Sequence, residues 1–133
     1  MTRDQLQAWI DAYERAWRTP GTDALADLFA PEAVYKTAPY ENPFRGLAAI
    51  AEMWESGRDG ADEEFTMTCE LVAVEGDTGV ARVEVRYGAT GSEYRDVWIV
   101  RLDETGRCSH FEEWPFWPPG QEGGWHEGPA QPS

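Results

Sequence analysis

The stretch Val80–Asp103, VARVEVRYGATGSEYRDVWIVRLD, decides the fold, because its apolar residues recur every second position with a single interruption. In the first half Ala81, Val83, Val85 and Tyr87 fall on one face, and Arg82, Glu84 and Arg86 on the other. That is the alternation of a strand packed on one side and solvated on the other. Residues 88–92 form a Gly-containing turn, and a second strand, Glu93–Asp103, returns antiparallel to the first. On it Asp96, Trp98, Val100 and Leu102 share a face opposite Val97, Ile99 and Arg101. Neither set is cleanly polar, so both faces are expected to be covered, one by helices and one by a second copy of the chain.

Working outward, the same period gives strands at Phe65–Val74 and Arg107–Phe116, with turns at 75–79 and 104–106. The result is a four-stranded antiparallel meander. Ahead of it, Arg58–Glu64 is a polar surface connection, and LAAIAEMW (Leu47–Trp54) is a helix ending near Gly57. At the start, Leu6, Trp9, Ile10, Tyr13 and Trp17 recur at helical spacing over Arg3–Arg18, with Thr2 and Gln5 as a capping box. Pro20 and Gly21 stop this helix, and Thr22 caps a second, Asp23–Phe29. Ala33–Thr37 reads as a short strand, followed by a loop with Pro39, Tyr40, Pro43 and Phe44. The domain spans residues 1–117. Residues 118–133, rich in Pro and Gly, read as a C-terminal tail in which Trp125 and His126 are incidental.

At 133 residues one core suffices. Eleven Lys and Arg against 25 Asp and Glu give a formal net charge of −14. That field repels nucleic-acid backbones and anionic lipid surfaces, so neither is an expected partner. Acids interrupt the apolar residues of the N-terminal stretch, and no later stretch reaches the length of a membrane span, so a cytoplasmic location is expected. Cys69 and Cys108 sit in strand-patterned runs without metal-ligand spacing, which predicts reduced thiols and no metal site.

Three helices followed by a long meander, with LFAPEAVY (Leu28–Tyr35), FRGLAAIAEMW (Phe44–Trp54), ARVEVRY (Ala81–Tyr87) and VRLDETGR (Val100–Arg107), resemble the nuclear transport factor 2-like superfamily, in particular its SnoaL-like branch. The resemblance spans roughly residues 4–117. It implies a cystatin-like α+β barrel: a cone-shaped, curved antiparallel sheet packed on three N-terminal helices around a pocket. It also implies a homodimer through the outer sheet face. Members include ketosteroid isomerases, polyketide cyclases, dehydratases, hydrolases and noncatalytic binders, so the fold leaves the activity open.

Ketosteroid isomerase chemistry uses a carboxylate base with a tyrosine and a neutral aspartic acid as donors. In this chain Tyr13 matches the tyrosine, whereas Thr37 stands at the base position and Trp98 at the acidic donor's. Steroid isomerisation by the usual residues is therefore not expected. Asp96, two residues before Trp98, returns to the same face and becomes the catalytic candidate, a carboxyl whose pKa an apolar surround would raise. Alternatively, Asp96 pairs with Arg82, Arg86 or Arg95 and does no chemistry. Tyr13 is either its hydrogen-bonding companion or a core residue whose hydroxyl meets Trp54 or Asp96. The family register turns Phe111 and Glu113 inward and His110 outward, which makes Glu113 a second acid; a bulge would bring His110 to Asp96 instead.

Trp9, Trp17, Tyr35, Thr37, Tyr40, Trp54, Val83, Val85, Tyr87, Trp98 and Phe111 complete an expected apolar lining for a small apolar or aromatic molecule. The alternative is a hollow filled by its own indoles. No Gly-rich phosphate loop, HExxH, GxSxG or clustered ligand set occurs in the sequence, so no cofactor is expected. The function expected is small-molecule binding, with cofactor-free acid–base chemistry such as isomerisation, cyclisation, dehydration or hydrolysis. The alternative is a noncatalytic ligand-binding or dimerisation module.

Overall fold

The first helix starts where its capping box does. In the computed structural model, which describes residues 1–57 and 64–121, Thr2 Oγ1 accepts from the Gln5 amide at 3.1 Å. The Gln5 side chain accepts from the Thr2 amide at 2.8 Å, so two donors that a helix start leaves open are satisfied. Helix α1, Arg3–Arg18, buries Leu6, Trp9, Ile10, Tyr13, Ala16 and Trp17 along one stripe. Its first turn lies against strand β4 (Thr78–Tyr87) at Gly79, where a Cβ would come within 2.6 Å of the Leu6 side chain. Glycine there lets the helix seat on the sheet.

Two early elements differ from expectation. Helix α2 is the single turn Leu25–Leu28 and not Asp23–Phe29, and its N-cap Ala24 offers no side-chain hydrogen bond. Phe29 already belongs to strand β1, Phe29–Lys36, which begins four residues before the expected Ala33. The reason is long-range: β1 pairs in parallel with strand β6 (Cys108–Phe116) from Phe29↔Cys108 to Lys36↔Glu112. A register shift between Phe29 and Val34 accommodates Pro31, which cannot donate to a ladder. A two-residue strand β2, Phe44–Arg45, covers the far edge of β1.

Helix α3, Leu47–Gly57, turns Ile50, Met53 and Trp54 inward. The meander follows as β3 (Phe65–Glu75), β4, β5 (Glu93–Leu102) and β6, each antiparallel to the next. The six-stranded sheet has the order β2-β1-β6-β5-β4-β3. It curves without closing, and the N-terminal helices pack in its concavity. Its inner face carries Ala81, Val83, Trp98, Val100 and Phe111, all essentially fully buried. Burying one such large side chain is worth about 1.5–3 kcal/mol.

On the outer face Arg82 pairs with Glu70, Arg86 with Glu93, Arg95 with Glu84 and Arg101 with Asp77. Cys69 and Cys108 are free thiols, and burial pushes the Cys108 thiol up to about 12. Among the described residues no helix is long and apolar enough to cross a membrane. The start of the expected tail is anchored: the Gln121 amide accepts from the Glu93 N–H and donates to its carbonyl, both at 3.0 Å. Residues 58–63, most of the polar connection, and Trp125 and His126 lie outside the described residues.

Candidate functional site

Four elements converge on the concave face of the sheet. Helix α1 supplies Tyr13 and Trp17, β1 supplies Tyr35, β5 supplies Tyr94, Asp96 and Trp98, and β6 supplies Glu113. Pairing of Trp98 with Glu113 and of Val100 with Phe111 fixes the β6 register, so the expected inward turn of Phe111 and Glu113 is observed. His110 pairs across to Arg101 and its ring meets Glu112 at 2.9 Å on the outer face. The register shift beside it, between Arg101↔His110 and Leu102↔Cys108, does not bring His110 to Asp96, and it stands apart from the site.

The polar centre is a hydrogen-bonded triangle. Tyr35 donates to Glu113 Oε2 at 2.8 Å, the Tyr13 and Tyr35 hydroxyls lie 2.9 Å apart, and Tyr13 reaches the same Glu113 oxygen at 3.4 Å. Tyr13 therefore meets neither Trp54 nor Asp96, as expected from sequence, but a second tyrosine and the other acid. Trp54 instead packs edge-on to its ring at 5.0 Å. Burial, and then the nearby Glu113, hold both hydroxyls well above the ordinary tyrosine range, so they stay protonated donors.

Asp96 is 7% exposed and Glu113 is 3% exposed. The Trp98 indole donates to Asp96 Oδ2 at 3.3 Å, while Asp96 Oδ1 is buried with no partner among the described residues. The arginines offered as alternative partners are all spent on the outer face. Burial raises Asp96 to about 7, against a smaller opposing effect of the Trp98 bond. Glu113 rises to about 8, first through burial and then through the charge of Asp96. The two carboxyls titrate as a pair: once one is ionised, its charge helps the other keep its proton.

The space these groups enclose is small. A void of about 30 Å³ is lined by Tyr13, Trp17, Phe65, Tyr94, Asp96, Trp98 and Glu113, together with the half-buried Met67, Val85 and Tyr87. It holds a group of water size, not a ring system. The expected open hollow is largely occupied by side chains: the Tyr13 and Trp98 rings lie 4.5 Å apart and Trp17 and Trp54 4.8 Å apart. Trp9, Val83 and Phe111 belong to the packed core instead of the lining. Trp9 is fixed by its indole bond to the Leu28 carbonyl at 2.9 Å. Thr37 is buried but does not line the void.

Tyr40 is fully exposed in the turn between the two prolines, where no element packs over its ring, and it leaves the site. Tyr94 was not anticipated, although the alternation that selects Asp96 and Trp98 reaches it one step earlier. A wider groove of about 800 Å³ crosses the opposite end of α1, edged by Asp27, Asp77, Asp103 and Glu104. These carboxylates are solvated, so the groove lacks the buried chemistry of the first site. Among the described residues no cluster of His, Cys, Asp or Glu could hold a metal ion.

A family model described as SnoaL-like domain matches residues 7–111, and the chain belongs to that family. Solved structures agree on the fold. A candidate polyketide cyclase from Sinorhizobium meliloti is 24% identical with a TM-score of 0.64, the match covering 80% of this chain and 93% of that one. A candidate isomerase of the SnoaL-like family from Agrobacterium tumefaciens is 17% identical with a TM-score of 0.68, covering 85% and 98%. A steroid delta-isomerase from Pseudomonas aeruginosa is 20% identical with a TM-score of 0.61, covering 86% and 81%. No curated protein matches the chain.

Proposed function

We propose that this SnoaL-like domain binds a small, mostly apolar molecule beneath its sheet and acts on it without a cofactor, Asp96 moving the proton. The observation that carries the reading is the unpartnered, buried Oδ1 of Asp96 at the void. A fold gains nothing by burying a carboxyl that lacks a partner; a site that transfers protons does. With a pKa of about 7, Asp96 exists in both forms near neutral pH, which suits a general acid or base. Tyr13, kept protonated, would turn its single O–H to an oxygen of the ligand, while Tyr35, which donates to Glu113, would hold that acid in place. Isomerisation, cyclisation, dehydration and hydrolysis all fit such a set.

A ligand larger than a water must displace lining side chains, of which Met67, Val85 and Tyr87 are the half-buried ones. The smallness of the void favours the second reading, a noncatalytic binding or dimerisation module. Recording Trp fluorescence against planar aromatic and polyketide-like compounds separates the two, with native mass spectrometry to detect a co-purified ligand. Loss of binding in Tyr13→Phe and of turnover in Asp96→Asn is expected. Equal behaviour of both variants and the wild type removes these residues from the site. For the outer face we propose a homodimer contact across Val97, Ile99 and Trp114, half-buried between the ion pairs. A monomer by light scattering at micromolar concentration rejects it.

A further inference from the structure

Two buried carboxyls, Asp96 and Glu113, line the void, and neither has a cationic partner among the described residues. The arginines beside them on the sheet point outward to Glu70, Glu84 and Glu93. Removing a carboxylate from water without a counter-ion costs several kcal/mol. Aromatic rings surround the pair: Tyr13 and Trp98 press together at 4.5 Å, and Trp17, Phe65, Tyr87 and Tyr94 complete the walls. The faces of Trp and Tyr rings attract a cation within about 6 Å, more strongly once it is desolvated. A volume of about 30 Å³ fits an ammonium head and excludes a ring. The net charge of −14 concentrates cations at the protein surface.

We propose that the void is an ammonium site, in which the head of a primary amine sits between the free oxygen of Asp96 and the Tyr13 and Trp98 rings, its aryl or alkyl body lying over Phe65, Tyr87 and Tyr94. The inference rests on the small-molecule reading above and names the ligand class. An ammonium supplies three donors and the positive charge that the buried acids lack. It binds the ionised form of Asp96, so the aspartic acid must release its proton as the amine enters.

The groups facing Asp96 set the pH window. Helix α1 presents Tyr13, β4 presents Tyr87, its own strand presents Tyr94 and β6 presents Glu113, with Tyr35 of β1 bonded behind it. Helix α3 and β3 present Trp54 and Met67, which do not titrate. Arg18 stands at the rim, its guanidinium 4.0 Å from the Phe65 ring centre and paired to Glu14. With Asp96 titrating near 7 and an alkylamine near 10, affinity rises as pH increases from 6 to 8.

Isothermal titration calorimetry of the whole chain with phenethylamine and its neutral counterpart, phenethyl alcohol, tests this at pH 6 and 8 in two buffers of different ionisation enthalpy. The amine is expected to bind about tenfold more tightly at pH 8 than at pH 6 and to release up to one proton. It should also outbind the alcohol, and Asp96→Asn should abolish the pH dependence. Alcohol binding as tight as amine binding, an amine affinity that is flat or falls with pH, or no heat from either compound overturns the inference. If a neutral compound does bind, and Tyr13→Phe weakens it, the acid–base reading survives the loss of the ammonium site.

Discussion

The two faces of the β4–β5–β6 sheet treat charge in opposite ways. Outside, five pairs join Arg82, Arg86, Arg95, Arg101 and His110 to acids 2.7–3.7 Å away, most of them well exposed. Inside, Asp96 and Glu113 are buried and, among the described residues, have only neutral donors for company. Exposed pairs contribute about 0–1 kcal/mol each, because water screens them. Buried, unpaired carboxyls cost several times that. The outer charges keep the surface wet, whereas the inner carboxyls are buried at a cost to stability, and that is why the inner face is taken as the site.

The comparison is broken most forcefully at Trp98. Trp98→Ala should cost about 3–5 kcal/mol in urea unfolding, since it opens a cavity and takes the indole from Asp96. A loss below about 1 kcal/mol would mean the indole is not part of the packed wall. Next comes pH. Asp96 holds its proton to about 7 when folded and only to 3.8 when unfolded, so between these values the folded state binds the extra proton. Stability from this group is complete below pH 4 and is lost as pH rises through 7, with a ceiling of about 4 kcal/mol at about 1.4 kcal/mol per pKa unit. Asp96→Asn, with Glu113→Gln added to remove the second acid, should flatten Tm between pH 4 and 8 and raise it at pH 8. An unchanged slope in the double variant would show that neither acid is buried unpaired.

A finer probe is Tyr35→Phe. Losing the 2.8 Å bond should cost about 1–3 kcal/mol. It should also move the Glu113 carboxyl further up in a carbon-detected NMR titration, because that bond lowers its pKa. The smallest effect belongs outside: Arg82→Ala should change stability by less than about 1 kcal/mol, and by less still at high salt. A larger loss would erase the contrast between the faces.

Periodicity made the meander and α1 readable, because Val83, Val85 and Trp98 alternate and Leu6, Tyr13 and Trp17 share a helical stripe whatever else the chain does. Residues 29–36 were harder to place. Pro31 and Glu32 look unlike a strand, and only the partner β6, more than seventy residues on, draws Phe29–Lys36 into the sheet. In the site, strand alternation put Asp96 and Trp98 on one face, and the register that the family resemblance implies turned Glu113 inward. The triangle of Tyr13, Tyr35 and Glu113 depends on distances between three elements, and no spacing in the chain encodes that. Nor does any spacing tell an open hollow from one that two indoles have closed; Tyr40 was misplaced for a similar reason, since an aromatic residue between prolines looks the same whether it tucks in or stands free.

The parallel pairing of β1 with β6 also fixes an order of events in folding. The meander can zip up strand by strand through local turns, but β1 must wait beside an empty edge until β6 has been synthesised and laid down. Closing so long a loop is slow compared with forming a hairpin. On the ribosome, Tyr13 and Tyr35 therefore emerge well before the carboxyl that joins them, and the acid–hydroxyl cluster cannot form until β6 is in place.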